Sequence, residues 1–386
     1  MSTPTYDYII SGMGCAGLSL AVQLSRNGLT KNKRILLVDR EQKNRNNRTW
    51  CFWETQPGPF ESIVHRSWDN ALFFGHDPVA AFQKPLPLNP YRYKMIRGLD
   101  FFTHCLHEIQ QDPAFDILHE EVLSIGNNAT SAFCQTATQT YQANYLFNSI
   151  LFEPPTLRNG THYLLQHFKG WVIRTTDPVF DPSTPTLMDF RPDQQHGTAF
   201  VYVMPFSPTE ALIEYTLFTE NLLEQADYDA GLEIYLRQQL GLTQWERIEE
   251  EFGIIPMTNH RFTRQQGRIL NLGTSGGRTK PSSGYTFTFI QKDTQQIINS
   301  LRDHQHPFRL VKESGRFHWY DSVLLHILAK RRLQGHFVFT ELFRNNPAHR
   351  ILRFLDNDSR LHEEIRIMAS LPQWPFMKAG LLEMGN

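Results

Sequence analysis

A short unit near the start restricts this chain more than any other feature. Tyr6 to Ile10 reads as a buried strand, Gly12, Gly14 and Gly17 follow in a turn, and Leu18 to Asn27 has helical periodicity closed by Gly28. Arg34 to Val38 is a second strand, ending at Asp39, 22 positions after the third glycine. That order and spacing suit a dinucleotide: one glycine permits the tight turn, one lets backbone approach a pyrophosphate, and one allows close helix packing. The helix N-terminus then faces phosphate, and Asp39 accepts hydrogen bonds from a ribose.

Composition bounds the rest. The 386 residues suggest two or three domains or one interleaved unit. Charged residues at 20% and hydrophobic residues at 40% exclude a disordered or fibrous chain. Thirty-eight basic against 39 acidic residues leave a formal net charge of -1, so nucleic acid is not the expected partner. Four cysteines, with no closely spaced pair, predict neither a disulfide scaffold nor a zinc site, and no metal is expected. The apolar stretch Tyr8 to Val22 follows Asp7 and contains Ser11 and Ser19, which makes it a poor signal peptide. No run approaches the roughly 18 to 20 apolar residues that span a bilayer. The expectation is a cytoplasmic protein, with contact to the inner face of the membrane left open.

Further along, a helix is expected over Arg97 to Gln110, with strands near Glu121 to Ile125 and Tyr141 to Asn148. From about residue 165 to 260 the pattern turns strand-rich and is interrupted by a helix near Tyr228 to Leu240. A strand at Arg268 to Leu272 then runs into a second glycine-rich turn, Gly273, Gly276 and Gly277, followed by Lys280 and Gly284. The first fingerprint alone leaves NAD and FAD undecided, and this late return segment favours FAD. The chain contains no Gly-Asp or Asp-Gly dipeptide, so the return motifs usual in FAD aromatic hydroxylases are absent. The expected architecture is an α/β, two-domain FAD-dependent fold of Rossmann, hydroxylase-like type. Residues 1–70, 95–160 and 261–310 form its cofactor domain. An inserted antiparallel substrate sheet takes 71–94 and 161–260, and 311–386 form a helical, membrane-facing cap.

Several ordered segments resemble the lycopene cyclases. They are Arg48 to Trp53, His167 to Trp171, Phe180 to Pro182, Met188 to Arg191, Met204 to Ser207, Leu212 to Thr216, Gly253 to Met257, and Gly284 with Tyr285. Three positions depart from the family pattern. Lys280 stands where many relatives have His, Tyr215 replaces the second of two adjacent acids, and Asn148 stands where Asp is common.

The resemblance implies cyclisation of the linear ends of lycopene, or a related linear carotenoid, to β-ionone rings, an isomerisation without net redox change. It also implies reduced FAD as cofactor, with NADPH or NADH as reductant. An acid must protonate C2, the cation at C1 must be held while the C5–C6 alkene attacks, and a base must remove a ring proton, all with water excluded. Glu214, in the apolar run Ala211 to Tyr215, is the first acid–base candidate, because desolvation favours its neutral form. Asp189 is the second, with pairing to Arg191 as the competing reading. Arg48 is placed near the cofactor phosphates. The stripe Phe317, Tyr320, Leu324, Ile327 and Leu328, followed by Lys330 to Arg332, fits either a membrane surface or a core-packed helix, and the Trp374 to Phe376 tail poses the same choice. The alternatives are a redox FAD enzyme (hydroxylase or polyprenyl reductase) on another apolar substrate, and a noncatalytic carotenoid or lipid carrier.

Overall fold

The computed structural model describes residues 5–76, 82–312 and 314–384. Its first sheet is built on five parallel strands in the order Phe115–Leu118, Ile35–Val38, Thr5–Ser11, Thr140–Asn148 and Ile269–Asn271. Ile35–Val38 is buried along its whole length, as a strand covered on both faces requires. On one face the helix Cys15–Arg26 packs against Gly98–Gln110 and Phe287–His304. The antiparallel pair Ser124–Asn127 and Ala132–Gln135 extends the sheet, and Ala132 and Cys134 pack with Ile9, Leu36 and Val38 in a second cluster. The chain thus leaves this sheet after Asn148 and returns at Ile269 to complete it.

The second sheet has seven strands, in the order Glu246–Thr258, Tyr163–Arg174, Glu210–Thr219, Thr198–Ser207, Thr186–Asp189, Asn70–Gly75 and Phe82–Pro87. All its pairings are antiparallel except that of Thr186–Asp189 with Asn70–Gly75. Side chains alternate across a strand, and Glu210–Thr219 shows the consequence. Ala211, Ile213, Tyr215 and Leu217 lie beneath the helix Gln225–Gln238, while Leu212 and Phe218 belong to the opposite core. The helix Gly335–Asn345 covers the far half of that opposite face, stacking Phe343 on Phe73 and Phe339 on Phe190. Each such buried side chain contributes about 1.5 to 3 kcal/mol. The near half instead forms a wall of the principal cavity. A three-stranded sheet, Thr49–Glu54, Arg92–Arg97 and Arg66–Trp68, joins the two large sheets and brings Arg48 and Thr49 to the same cavity.

The chain finishes in the helices Gly315–Ala329, Gly335–Asn345, Ala348–Leu355, Leu361–Ala369 and Gln373–Glu383. Gly315–Ala329 is core-packed, which corrects the membrane reading of its stripe: Phe317, Ile327 and Leu328 are buried, and the Tyr320 hydroxyl donates to Glu364 at 2.8 Å. The helix lies between the long strand Tyr163–Arg174 and the last helix, so its apolar face has neighbours on both sides. The last helix is arranged the other way round. It turns Ala379, Gly380 and Glu383 inward and leaves Trp374 76% and Leu381 71% exposed. Glu383 Oε1 pins it, accepting from His162 Nε2 at 2.8 Å and His326 Nδ1 at 2.7 Å. Among the described residues no helix is long and apolar enough to cross a membrane.

Candidate active site

The glycine turn after the first strand is closed by steric necessity. Gly12 has φ of +92°, and a Cβ on Gly17 would lie 2.0 Å from the Gly12 carbonyl oxygen, so the helix can approach the turn only without a side chain there. The position of a Cβ on Gly14, by contrast, is open space. Gly14, Cys15 and Ala16 line a cavity of about 440 Å³. No side chain caps this helix, so its first N–H groups are directed at the cavity, an arrangement suited to an anion. Asp39 stands beside the turn, where its Oδ2 accepts the Met13 N–H at 2.6 Å and its Oδ1 accepts Lys43 at 3.2 Å. Arg48 lies on the cavity wall, and Gly273 and Gly284 face it from the other side. Gly276 and Gly277 shape the turn behind Gly273, through Gly276 N–H to Leu272 O at 2.9 Å and Gly277 N–H to Thr274 O at 3.0 Å. An uncapped helix end, an open glycine and a neighbouring acid fit a dinucleotide.

The other end of the cavity is a carboxyl pair on the second sheet. Glu214 and Glu251 sit on strands either side of Tyr163–Arg174, and both are in register with Gly170. Residues paired this way present side chains to one face, so the two carboxyls meet over the glycine. A Cβ on Gly170 would lie 3.0 Å from Glu251 Cγ and 3.0 Å from Leu212 Cδ1, tighter than ordinary contact. Burial first, and then repulsion from Glu251, raise the Glu214 carboxyl well above the usual range. Burial raises Glu251 as well, against hydrogen bonds from Thr49 and Glu214. Like charges this close disfavour joint ionisation, and the larger push toward the neutral acid is on Glu214, half-buried on the cavity wall, rather than on the buried Glu251. Thr216 donates to Glu214 Oε1 at 2.8 Å and Thr49 to Glu251 Oε2 at 2.8 Å. Apart from Glu214, no N–H or O–H among the described residues donates to the buried Glu251 Oε1, which leaves it to accept the Glu214 proton.

Around Glu214 the walls are aromatic and aliphatic: Phe168, Tyr202, Met204, Leu212, Tyr285 and Phe287. Burial raises the Tyr285 phenol to about 12 and those of Tyr93 and Tyr202 well above their ordinary value, so these rings stay neutral. Their faces attract a cation.

A family model described as lycopene cyclase protein matches residues 7–381. The chain belongs to the lycopene cyclase family. A lycopene beta-cyclase of Pantoea ananas is 25% identical over 398 residues, covering 97% of each chain. In fold, the chain resembles a flavoprotein/dehydrogenase from Cytophaga hutchinsonii (TM-score 0.65, 10% identity, 99% of each chain). It also resembles a halogenase variant solved with FAD (TM-score 0.57, 11% identity, 98% of this chain and 91% of that one). The fold is therefore the α/β flavoprotein type.

Within this lycopene cyclase family member, three expected positions resolve differently. Asp189 is fully buried but does not line the cavity, which corrects its place as a second acid–base group. Its Oδ1 accepts Arg191 Nε at 2.9 Å and its Oδ2 accepts the Tyr235 hydroxyl at 2.7 Å, so its oxygens are committed to scaffold contacts. Tyr215 faces the helix Gln225–Gln238, because the residue after Glu214 points to the other side of the sheet; the second acid is supplied by another strand, as Glu251. Asn148 uses both ends of its amide: its Nδ2 donates to Asn271 Oδ1 at 2.8 Å while its Oδ1 accepts Ser11 Oγ at 3.0 Å. Sequence reasoning missed Glu251, one of three consecutive glutamates. The cue was its place two residues before Gly253, inside a segment already matched to the family.

Proposed function

We propose that this chain is a lycopene β-cyclase: it converts linear ψ ends of lycopene, through γ-carotene to β-carotene, without net redox change. The carboxyl of Glu214, pushed toward its neutral form and set in an aromatic and aliphatic cavity wall, carries this reading. A neutral carboxylic acid held against an alkene is what protonation at C2 requires, and Tyr202, Tyr285 and Phe168 offer the developing cation ring faces rather than water. The Glu214 and Glu251 pair, relieved of one proton, is also the base nearest the site.

Gly12, Gly14, Gly17 and the N-terminus of Cys15–Arg26 would hold the pyrophosphate of FAD, with Asp39 on the ribose and Arg48 near the phosphates. Gly273, Gly276, Gly277 and Gly284 would hold the flavin end. Bound FAD in its reduced form, kept so by NADPH or NADH, supplies an electron-rich ring system that favours a nearby cation.

The substrate is a bilayer hydrocarbon, and the proposed membrane contact is the exposed stripe Trp374, Met377 and Leu381 with Leu361 and Ile365 of the preceding helix. A helix that turns Glu383 inward and Trp374 and Leu381 outward is arranged for an apolar surround. Purified protein loaded with FAD, reduced anaerobically and mixed with lycopene in liposomes, is expected to yield β-ring carotenoids by chromatography. A bound, reduced flavin with no ring-containing product would overturn the reading.

A further inference from the structure

Behind the Glu214 and Glu251 pair lies a second, smaller cavity of about 50 Å³, room for a few waters. It is bounded by Asn46, Thr49, Arg97, Glu210, Glu249 and Glu251. Glu249 is exposed to solvent whereas Glu251 is buried. The two cavities share Thr49 and Leu212 as a partition; Glu214 lines the large one, Glu251 only the small one. The carboxyl pair therefore bridges the reaction space and a polar vestibule.

We propose that Glu251 is the proton-exchange partner of Glu214, passing protons between the cyclisation site and water in the small cavity. The inference rests on the cyclase reading and adds the route by which its acid is recharged. In one cyclisation a C–H bond forms at C2 with the Glu214 proton, and a ring C–H bond breaks to release one proton, so the count balances. Glu214 is left as a carboxylate beside a carboxylate, the state that repulsion disfavours. The ring proton is taken up by this carboxylate pair, so that Glu214 is protonated again, and Glu251 exchanges the pair's proton with water in the vestibule. Thr49 donates to Glu251 Oε2 and Thr216 to Glu214 Oε1, and the two carboxyls are in hydrogen-bonding contact with one another, which gives the transfer its path. Among the described residues, the charged and titratable groups around the pair are Arg48, Arg97, Glu210, Glu249 and Glu250, with Cys51, Tyr202 and Tyr285 on the Glu214 side. Among these, Arg48 opposes the rise of Glu251 and Glu249 adds to it.

Replacing Glu251 by Gln removes the like charge that helps keep Glu214 protonated. The alkaline limb of the rate profile for ring formation is then expected to move down by about one pH unit or more, with turnover at pH 8 reduced about tenfold. Bound-flavin absorbance checks that the variant is folded and loaded. In the absence of substrate and flavin, the infrared carbonyl stretch of a protonated carboxyl is expected near neutral pH in the natural protein. It should vanish in Glu214→Gln and titrate at lower pH in Glu251→Gln. Glu251→Asp keeps a titrating group and should restore the limb toward its original position. A Glu251→Gln protein with the natural turnover and pH profile overturns the proposal. So does a Glu251→Asp protein displaced as far as the Gln variant, which would make the role one of packing. If the natural protein forms no rings at all, the cyclase reading fails, while the infrared titration still reports on the pair.

Discussion

Lys280 lies in the turn leading to Gly284, and its surroundings predict a structural rather than a chemical role. Its side chain is 1% exposed and that of Asp321 is 4%, with Nζ 2.7 Å from the Asp321 carboxylate. Nζ also donates to Asn357 Oδ1 at 2.7 Å, and Ser282 Oγ donates to Asp321 at 2.6 Å. The cluster ties the turn leading to Gly284 to the helix Gly315–Ala329. Lys280→Met keeps the length of the side chain but leaves the Asp321 charge buried with Ser282 as its remaining side-chain donor among the described residues. Breaking a buried pair from one side costs about 3 to 5 kcal/mol. Replacing both partners by apolar residues of similar size is often neutral or better, so Lys280→Met with Asp321→Leu should recover most of that loss. Urea unfolding followed by tryptophan fluorescence, at fixed flavin concentration, reads both values from the midpoints. Ring formation, measured where Lys280→Met is folded, should change only severalfold. The reasoning is refuted if Lys280→Met keeps its midpoint yet loses turnover, because the amine would then be chemical. It is equally refuted if the double variant is as unstable as the single one.

Glu214→Gln should retain flavin and abolish ring formation, since the shape remains while the transferable proton is gone; full activity in a flavin-loaded variant would remove the assigned role. The same variant should be more stable than the natural protein at pH 8, compared by thermal unfolding. A carboxyl whose folded pKa is raised destabilises the fold as pH climbs above its unfolded value of about 4.3, so the difference should disappear on acidification. Asp39→Ala should weaken FAD retention by about 1.5 to 3 kcal/mol, the worth of a hydrogen bond to a charged group, and titration of the apoprotein with FAD measures it. Trp374→Ser with Leu381→Ser should reduce flotation with anionic liposomes while leaving thermal stability unchanged, because both side chains are exposed. Undiminished flotation would place the membrane contact elsewhere.

The cofactor end was legible because its information is local. A strand, a three-glycine turn, a helix and an acid lie within a few dozen residues, and sterics fix what each glycine does. The raised carboxyl of Glu214 on the cavity wall was legible for the same reason: one acid in an apolar strand segment loses water. Glu251 was not, since its meaning comes from the register of three strands and from Gly170 between them, and nothing local separates it from Glu249 and Glu250. Asp189 shows the opposite error. Asp189 ends its strand, Arg191 lies two residues beyond it, and that local pairing prevailed over the apolar neighbours that suggested chemistry. The stripe from Phe317 to Leu328 left two readings open because periodicity shows that a helix has an apolar face without showing what covers it. The last helix was opaque for a related reason: its buried face is made of Ala379, Gly380 and Glu383, and its exposed face is the apolar one.

The central claim is that a flavin-fold protein performs acid–base cyclisation without consuming reductant. The most direct measurement counts NADPH oxidised per ring formed, under strict anaerobiosis, with FAD-loaded protein and liposomal lycopene over many turnovers. The account predicts many rings for each NADPH, the reductant serving only to reduce the flavin once. One NADPH lost per product, with a reduced carotenoid in place of a ring, would contradict it and move the chain to the reductases.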